Sequence, residues 1–288
     1  MGPPLFYRAA AAALSVLSVC AVLAAQAPLP LGLMTFNIRT SSIDDGENSW
    51  PRRKTLVAQV IERSVPDVVG LQEVAREQVE YLAVTLKDYR WLGIDSALNG
   101  GEGLSEYTAI FYRFAELSPI ESGNFWLSPT PDAPSTTEPR RDRIVTWARF
   151  HHRGTGRQFY AFNTHFSPRQ GPAHLDASRI IKERIQRLPA GSPVVVLGDF
   201  NSTAEESPVW KDLTGELLRD TWTAAASRSG PLATMGGFGP PRAGDTARID
   251  WILVGGPIEV RSAETILFNE AGRYPSDHFP VAARVEIR

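Results

Sequence analysis

The sequence predicts an α/β fold in which two stacked sheets are covered by helices. Three observations carry this. Short β-branched runs such as Pro193-Val194-Val195-Val196-Leu197 and Asp67-Val68-Val69 have the length and composition of buried strands. They alternate with stretches whose apolar residues recur at helical spacing. The last third of the chain reads mostly as strand and loop, which favours layered sheets over a helix bundle.

The elements follow in order. A strand at 31–38 leads into the polar loop from Ser41 to Ser49. A helix from about Pro51 to Arg63 comes next. Ser49 is placed to cap it, Pro51 suits its first turn, and Leu56, Val57, Val60 and Ile61 form its buried face. A strand at 67–72 precedes a second helix at about 76–87, with Val79, Leu82, Ala83 and Leu86 on one stripe. Strands are expected at 89–94, 107–113, 144–151, 158–165 and 193–199, with a helix at about 172–188 before the last of these. The Pro-, Ser- and Thr-rich segment 129–139 reads as an exposed loop, and the Gly- and Pro-rich segment 230–244 as a long one. Two or three strands close the chain. No repeat or long linker divides it, so residues 28–288 are expected to form a single domain.

Residues 1–27 stand apart. Arg8 precedes the small apolar run Ala9 to Ala25, and Ala25-Gln26-Ala27 fits a cleavage site, the layout of a secretory signal peptide. Retention as an anchor and lipidation at Cys20 are the alternatives. The expectation is therefore export to a bacterial periplasm or the exterior, with no integral membrane domain after cleavage. Cys20 is the only cysteine, so the mature chain would have neither disulfide nor thiolate metal site. The formal net charge is −2, so no global basic field argues for nucleic acid as partner. A monomer is expected.

The chemistry sits at the ends of the strands. Gly198-Asp199-Phe200-Asn201 closes one apolar run, and period-two alternation puts Asp199 and Asn201 on one side with Phe200 turned away. A carboxylate able to hold a metal or take a proton, beside an amide able to hold a phosphoryl oxygen, suits metal-assisted phosphoester hydrolysis. Thr35-Phe36-Asn37, Gly70-Leu71-Gln72-Glu73, Asn163-Thr164-His165-Phe166, Arg248-Ile249-Asp250-Trp251 and Ser276-Asp277-His278-Phe279 mark five further strand ends. The carboxylate-rich set, with two histidines and no cysteine, fits Mg2+, or Mn2+, better than zinc.

In this order the motifs resemble the endonuclease/exonuclease/phosphatase superfamily over about residues 31–288, a group that includes deoxyribonuclease I, apurinic endonucleases, neutral sphingomyelinases, inositol polyphosphate 5-phosphatases and poly(A) deadenylases. The resemblance implies a four-layer α/β/β/α sandwich, with two mixed, mainly antiparallel sheets and the active site where both end. It implies that Glu73, Asn37 (through its amide oxygen) and Asp277 serve the metal. Asp199 would orient or deprotonate the attacking water. Asn201 would hold a phosphoryl oxygen or that water, and His165 would contact the scissile phosphate. Asp250 and His278 look like the family's Asp–His pair. Apurinic endonucleases carry an Asp two residues past this Asn, where this chain has Arg39, so their metal geometry does not transfer directly.

Other residues are read from the sequence alone. Glu106 or Tyr107, at a strand start, could face the cleft or simply begin the strand. One of Arg140, Arg141 and Arg143 could bind substrate phosphate, though a solvated charge run accounts for them equally. Arg52 and Arg53 oppose the helix dipole at a helix start, a hint of anion binding. The tryptophans at 50, 126, 147, 210 and 222 read as core. Local patterns Asn37-Ile38-Arg39, Gly46 to Arg53 and Phe125 to Pro131 resemble bacterial exported hydrolases of the same superfamily. The expected activity is a phosphodiesterase or phosphatase on a small or lipid-derived phosphoester. An extracellular nuclease is the alternative, and a non-catalytic binding module on the same fold stands third.

Overall fold

A computed structural model describes residues 27–96, 106–134, 143–169 and 171–288. The expected leader lies outside them except for Ala27, as do Arg140 and Arg141. The strands are β1 (Leu29–Asn37), β2 (Val68–Val74), β3 (Tyr89–Leu92), β4 (Tyr107–Arg113), β5 (Leu117–Trp126), β6 (Ile144–His152), β7 (Gln158–His165), β8 (Val194–Asp199), β9 (Arg219–Asp220), β10 (Ser227–Ser229), β11 (Asp250–Gly255), β12 (Ile258–Thr265) and β13 (Val281–Ile287). The helices are α1 (Trp50–Ser64), α2 (Arg76–Thr85), α3 (Pro172–Gln186), α4 (Pro208–Thr214) and α5 (Thr221–Ala224).

The strands form two sheets, ordered β10-β12-β13-β1-β2-β4-β3 and β5-β6-β7-β8-β11-β9. Both are mixed and mainly antiparallel, with parallel pairs at β1–β2, β10–β12 and β7–β8. Alternation along the strands sorts the apolar side chains into three layers. Leu31, Leu33, Ile110, Phe159, Val195, Leu197, Ile252 and Val285 meet between the sheets. Phe36, Val69, Leu71 and Phe111 face α1 and α2 through Val57, Ile61, Val79 and Leu82. Phe162, Val196 and Leu253 face α3 and α4 through Ile181, Ile185, Val209 and Leu213. The result is the expected α/β/β/α sandwich. Burying one such Val or Leu contributes roughly 1.5–3 kcal/mol, which is why the sheets close on their apolar faces.

A polar strut crosses the apolar layer below the strand ends. Gln72 Nε2 donates to Asn163 Oδ1 at 2.7 Å and to Thr35 Oγ1 at 3.0 Å. Asn163 Nδ2 donates to the carbonyls of Leu71 and Ala109. Gly70 leaves room for this, since a Cβ there would stand 2.6 Å from Asn163 Oδ1. The strut fixes one sheet's register against the other, because each amide must meet its partners in a dry interior.

Some elements differ from expectation. β5 was not foreseen. It is an edge strand with an exposed middle, a register shift between Pro119 and Glu121 and the polar run Glu121-Ser122-Gly123-Asn124, so it lacks the alternation of a half-buried strand. Ser49 occupies the N-cap of α1, but its side chain makes no capping hydrogen bond. Arg53 is no anion site: it is fully buried and donates to the carbonyls of Ile38, Arg39, Asn48 and Pro275. Burial lowers its pKa to about 10. Arg52 pairs with Glu47 at the surface. Trp50, Trp126 and Trp222 are buried, and Trp147 and Trp210 pack half-buried against the core.

Candidate active site

The site lies where both sheets end. Strand register alone assembles its floor: His165 on β7 is the partner of Asp199 on β8, and Asp199 is the partner of Asp250 on β11. Neighbouring strands stand about 4.8 Å apart, so three functional side chains arise side by side. Asn37 reaches across from the other sheet, its Nδ2 donating to Asp199 Oδ2 at 2.9 Å and Glu73 Oε1 at 3.1 Å. His278, in the turn before β13, holds Asp250 Oδ2 through Nδ1 at 3.0 Å, and its Nε2 lies 3.9 Å from Asp199 Oδ2.

Turn chemistry aims these groups. Glu73, Asn201 and Arg39 all take positive φ, at 56°, 47° and 56°. Such backbone costs of order 1–3 kcal/mol per residue and persists where surrounding structure over-determines it. Glu73 lies in a register shift of β2 against β4, so it is one residue short of the strand's end rather than at it. Asp199 Oδ1 accepts from Asn201 N at 2.9 Å, a tight turn that swings the Asn201 amide back toward His165.

The electrostatics separate the two histidines. His278 is buried, which alone would lower its pKa, but the charges of Asp250 and Asp199 outweigh burial and hold it well above the usual value. His165 is pushed well below that value by burial, with the Arg143 charge adding to it. Burial, reinforced by the charge of Asp250, lifts the Asp199 carboxyl to about 7. Burial and the Glu73 charge likewise lift Glu106 to about 7.

The expected site residues therefore converge, with corrections. Asn37 turns its NH2 toward the carboxylates, because its Oδ1 accepts from Arg39 N at 3.0 Å. The expected oxygen ligand thus faces away from Glu73. Asp277 accepts from Ser276 Oγ and lies 3.8 Å from Arg39 Nη1. Arg39 itself forks onto Asp45 at 3.0 Å through two nitrogens, so a cation stands among these acids. Glu106 does face the site, 3.9 Å from His165 Nδ1. Tyr107 does not: it packs edge-on against Trp91, on the helix side of its sheet, because the next residue of a strand points the other way. Arg143 reaches the site through His165, whose Nδ1 it meets at 2.6 Å.

His174 was missed. Its Nε2 donates to Ser167 O and its Nδ1 accepts from Ser202 Oγ, tying the turns after β7 and β8 together. A lone His in an amphipathic helix gives no sequence signal of this.

The donor set suits a hard divalent cation. Asp199, Asp250 and His278 bring their polar atoms within 4.8 Å of one another, but a protonated His278 has no lone pair for a metal, so the oxygens of the neighbouring acids are the donors. Asp250 Oδ1 is buried without a hydrogen-bond partner among the described residues. Glu73, partly buried, and Asp277 lie beside them, so carboxylate oxygens crowd the site, a crowding that a bound cation relieves.

A two-sheet sandwich with Asp, Asn and His gathered at its strand ends is the scaffold of a phosphoesterase. The chain belongs to the Endonuclease/Exonuclease/phosphatase family, whose signature matches residues 34–278. It is similar to an endonuclease/exonuclease/phosphatase from Bacteroides vulgatus, at 32% identity and TM-score 0.83 over 90% of this chain and 100% of that one. It is also similar to a mannosyl-6-phosphatase from Bacteroides thetaiotaomicron, at 28% identity and TM-score 0.80 over 88% of this chain and 99% of that one. An uncharacterized protein of Acanthamoeba polyphaga mimivirus is 26% identical over 171 residues, a match that spans 53% of this chain and 59% of that relative.

Proposed function

We propose that this protein is an exported, Mg2+-dependent phosphoester hydrolase acting on a small phosphoester, with sugar phosphates the first class to test. The carrying observation is the side-by-side register of His165, Asp199 and Asp250, closed by Asn201 and His278. The near-neutral charge and the likeness to a sugar phosphatase support a small substrate over a long polyanion. Mn2+ is the alternative ion.

Asp199 orients the attacking water and takes its proton, a task suited to a carboxyl lifted to about 7. The Nε2 of His165 and the amide of Asn201 hold a phosphoryl oxygen. His278, kept charged by Asp250, faces the negative charge that builds as the P–O bond to the leaving alcohol breaks. Glu73 and Asp277, with Asn37 once its amide turns over, would hold the ion. When bound, the ion supplies neutralisation of the phosphoryl charge. The N-terminal segment, with its small apolar run and Ala-x-Ala site, supports export.

The test is a panel of hexose phosphates, inositol phosphates, glycerophosphodiesters, sphingomyelin, bis(p-nitrophenyl) phosphate and plasmid DNA with Mg2+, run on wild type and Asp199→Ala. Turnover of a small ester by wild type alone is expected. Plasmid nicking without small-ester turnover would move the reading to a nuclease. Silence on the whole panel would end it.

A further inference from the structure

We infer that Arg143 is a positioning residue that fixes His165 as the neutral tautomer protonated on Nε2. The argument is one of donors and acceptors. A guanidinium only donates, so a nitrogen that meets Arg143 Nη1 at 2.6 Å must be an unprotonated acceptor. Nδ1 of His165 is that nitrogen, and the ring proton is left on Nε2. The rival partner for Nδ1 is the carboxylate of Glu106, which would demand a proton there, but its Oε2 lies 3.9 Å away. Glu106 Oε2 is also 3.8 Å from Arg143 Nη1, so the acid flanks the arginine as well as the histidine.

The consequence falls on Nε2. Asn201 Nδ2 donates to Phe166 O at 2.9 Å, which settles which amide atom is nitrogen. That nitrogen stands 3.2 Å from His165 Nε2. With Arg143 holding Nδ1, two N–H donors lie side by side, and neither can accept from the other. An anionic oxygen placed between them can accept from both. Asp199 Oδ2, at 3.5 Å from Nε2, is the nearest carboxylate on that side, and Glu73 Oε1 follows at 4.0 Å. Arg143 therefore acts through His165, not on the substrate. Its purpose rests on the phosphoester reading above, but the contact itself does not.

The experiment is imidazole nitrogen NMR on the 15N-His protein, metal-free, at about pH 7. His165→Gln identifies the His165 signals among those of the five histidines. Wild type is expected to show a pyridine-type Nδ1 and a pyrrole-type Nε2 at His165. Glu106→Gln should leave both unchanged. Arg143→Met should shift the proton to Nδ1 and lower kcat about 10- to 100-fold with little change in KM, and Arg143→Lys should recover part of both. A protonated Nδ1 in wild type, or a spectrum that changes with Glu106→Gln, would make Glu106 the partner and overturn the inference. So would a rise in KM for Arg143→Met with an unmoved His165 spectrum, the mark of a direct phosphate contact. A protein with the expected spectrum that hydrolyses nothing keeps this assignment and loses the functional reading.

Discussion

Asp250→Asn offers the sharpest test of the catalytic arrangement. The substitution keeps shape and an acceptor for His278 Nδ1, which Asp250 Oδ2 meets at 3.0 Å, removes the charge and puts an amide NH2 where the buried Oδ1 stands. Charge centres about 4 Å apart near a protein surface interact by about 4 kcal/mol. The neutral amide retains a hydrogen bond of about 1 kcal/mol. The imidazolium thus loses on the order of 3 kcal/mol of support, or roughly two powers of ten in rate where the charged form is needed. The sign follows from the direction of the shift. His278 is held above its usual pKa, so its charged form is complete at low pH and lost as pH rises through the folded value. In Asp250→Asn, burial is opposed by fewer carboxylates, and the loss of activity moves to lower pH. The assay is kcat/KM against pH on the best substrate of the panel. The deficit should be largest above about pH 8 and shrink toward pH 6. A variant that tracks wild type across that range would show that His278 does not work as a cation.

Other expectations follow from the same geometry. Asp199→Ala should lower kcat by roughly two to four powers of ten with an unchanged circular dichroism spectrum, and residual activity above a tenth would remove Asp199 as the base. Chelation should abolish turnover and Mg2+ restore it; the ion should also raise Tm, since at 100 times its Kd a ligand of the folded state stabilises by about 2.7 kcal/mol. Without metal, Asp199 and Glu106 are both lifted to about 7, so the folded state holds protons that the unfolded state has lost. Stability then falls as pH rises from the usual carboxylate range toward 7, and His278 adds a loss of the same sign above it, whereas His165, shifted down, opposes only on the acid side. Tm of the metal-free protein should be lower at about pH 8 than at pH 6, and a rise would contradict the burial argument. Gly70→Ala should destabilise by about 1–3 kcal/mol in urea, because its Cβ meets Asn163 and Leu197 at 2.6–2.9 Å; a neutral result would mean that the strut yields.

The fold was legible where one physical signal dominated. Val194 to Leu197 and Phe159 to Phe162 are buried on both faces and read as strands by composition alone. Leu56, Val57, Val60 and Ile61 read as a helix stripe and are buried as such. β5 was illegible because an edge strand needs no alternation. α4 was missed because seven residues opening with a proline offer little periodicity. At the site, residue types at strand ends were legible and their mutual orientation was not. Asn37 shows this: a backbone N–H two residues along claims its oxygen, and no spacing rule reports which end of an amide faces a neighbour. Tyr107 shows the converse, since one step along a strand separates a residue in the cleft from one in the opposite layer.

The two histidines carry the functional logic furthest. They lie against the same carboxylate, His165 Nε2 at 3.5 Å and His278 Nε2 at 3.9 Å from Asp199 Oδ2. Their other nitrogens face opposite partners, an arginine for His165 and an aspartate for His278. A guanidinium on Nδ1 forbids a second ring proton, while a carboxylate on Nδ1 rewards it. On the proposed mechanism the same side chain is divided into a neutral donor and a cation on the two sides of Asp199, the proposed base. The proposed phosphoester hydrolysis would use both: a donor that seats a phosphoryl oxygen without competing for the water's proton, and a charge that meets the leaving oxygen. The partners that make this division, Arg143 and Asp250, arrive from distant parts of the chain. The site's chemistry therefore belongs to the strand order that delivers them and not to any one of its motifs.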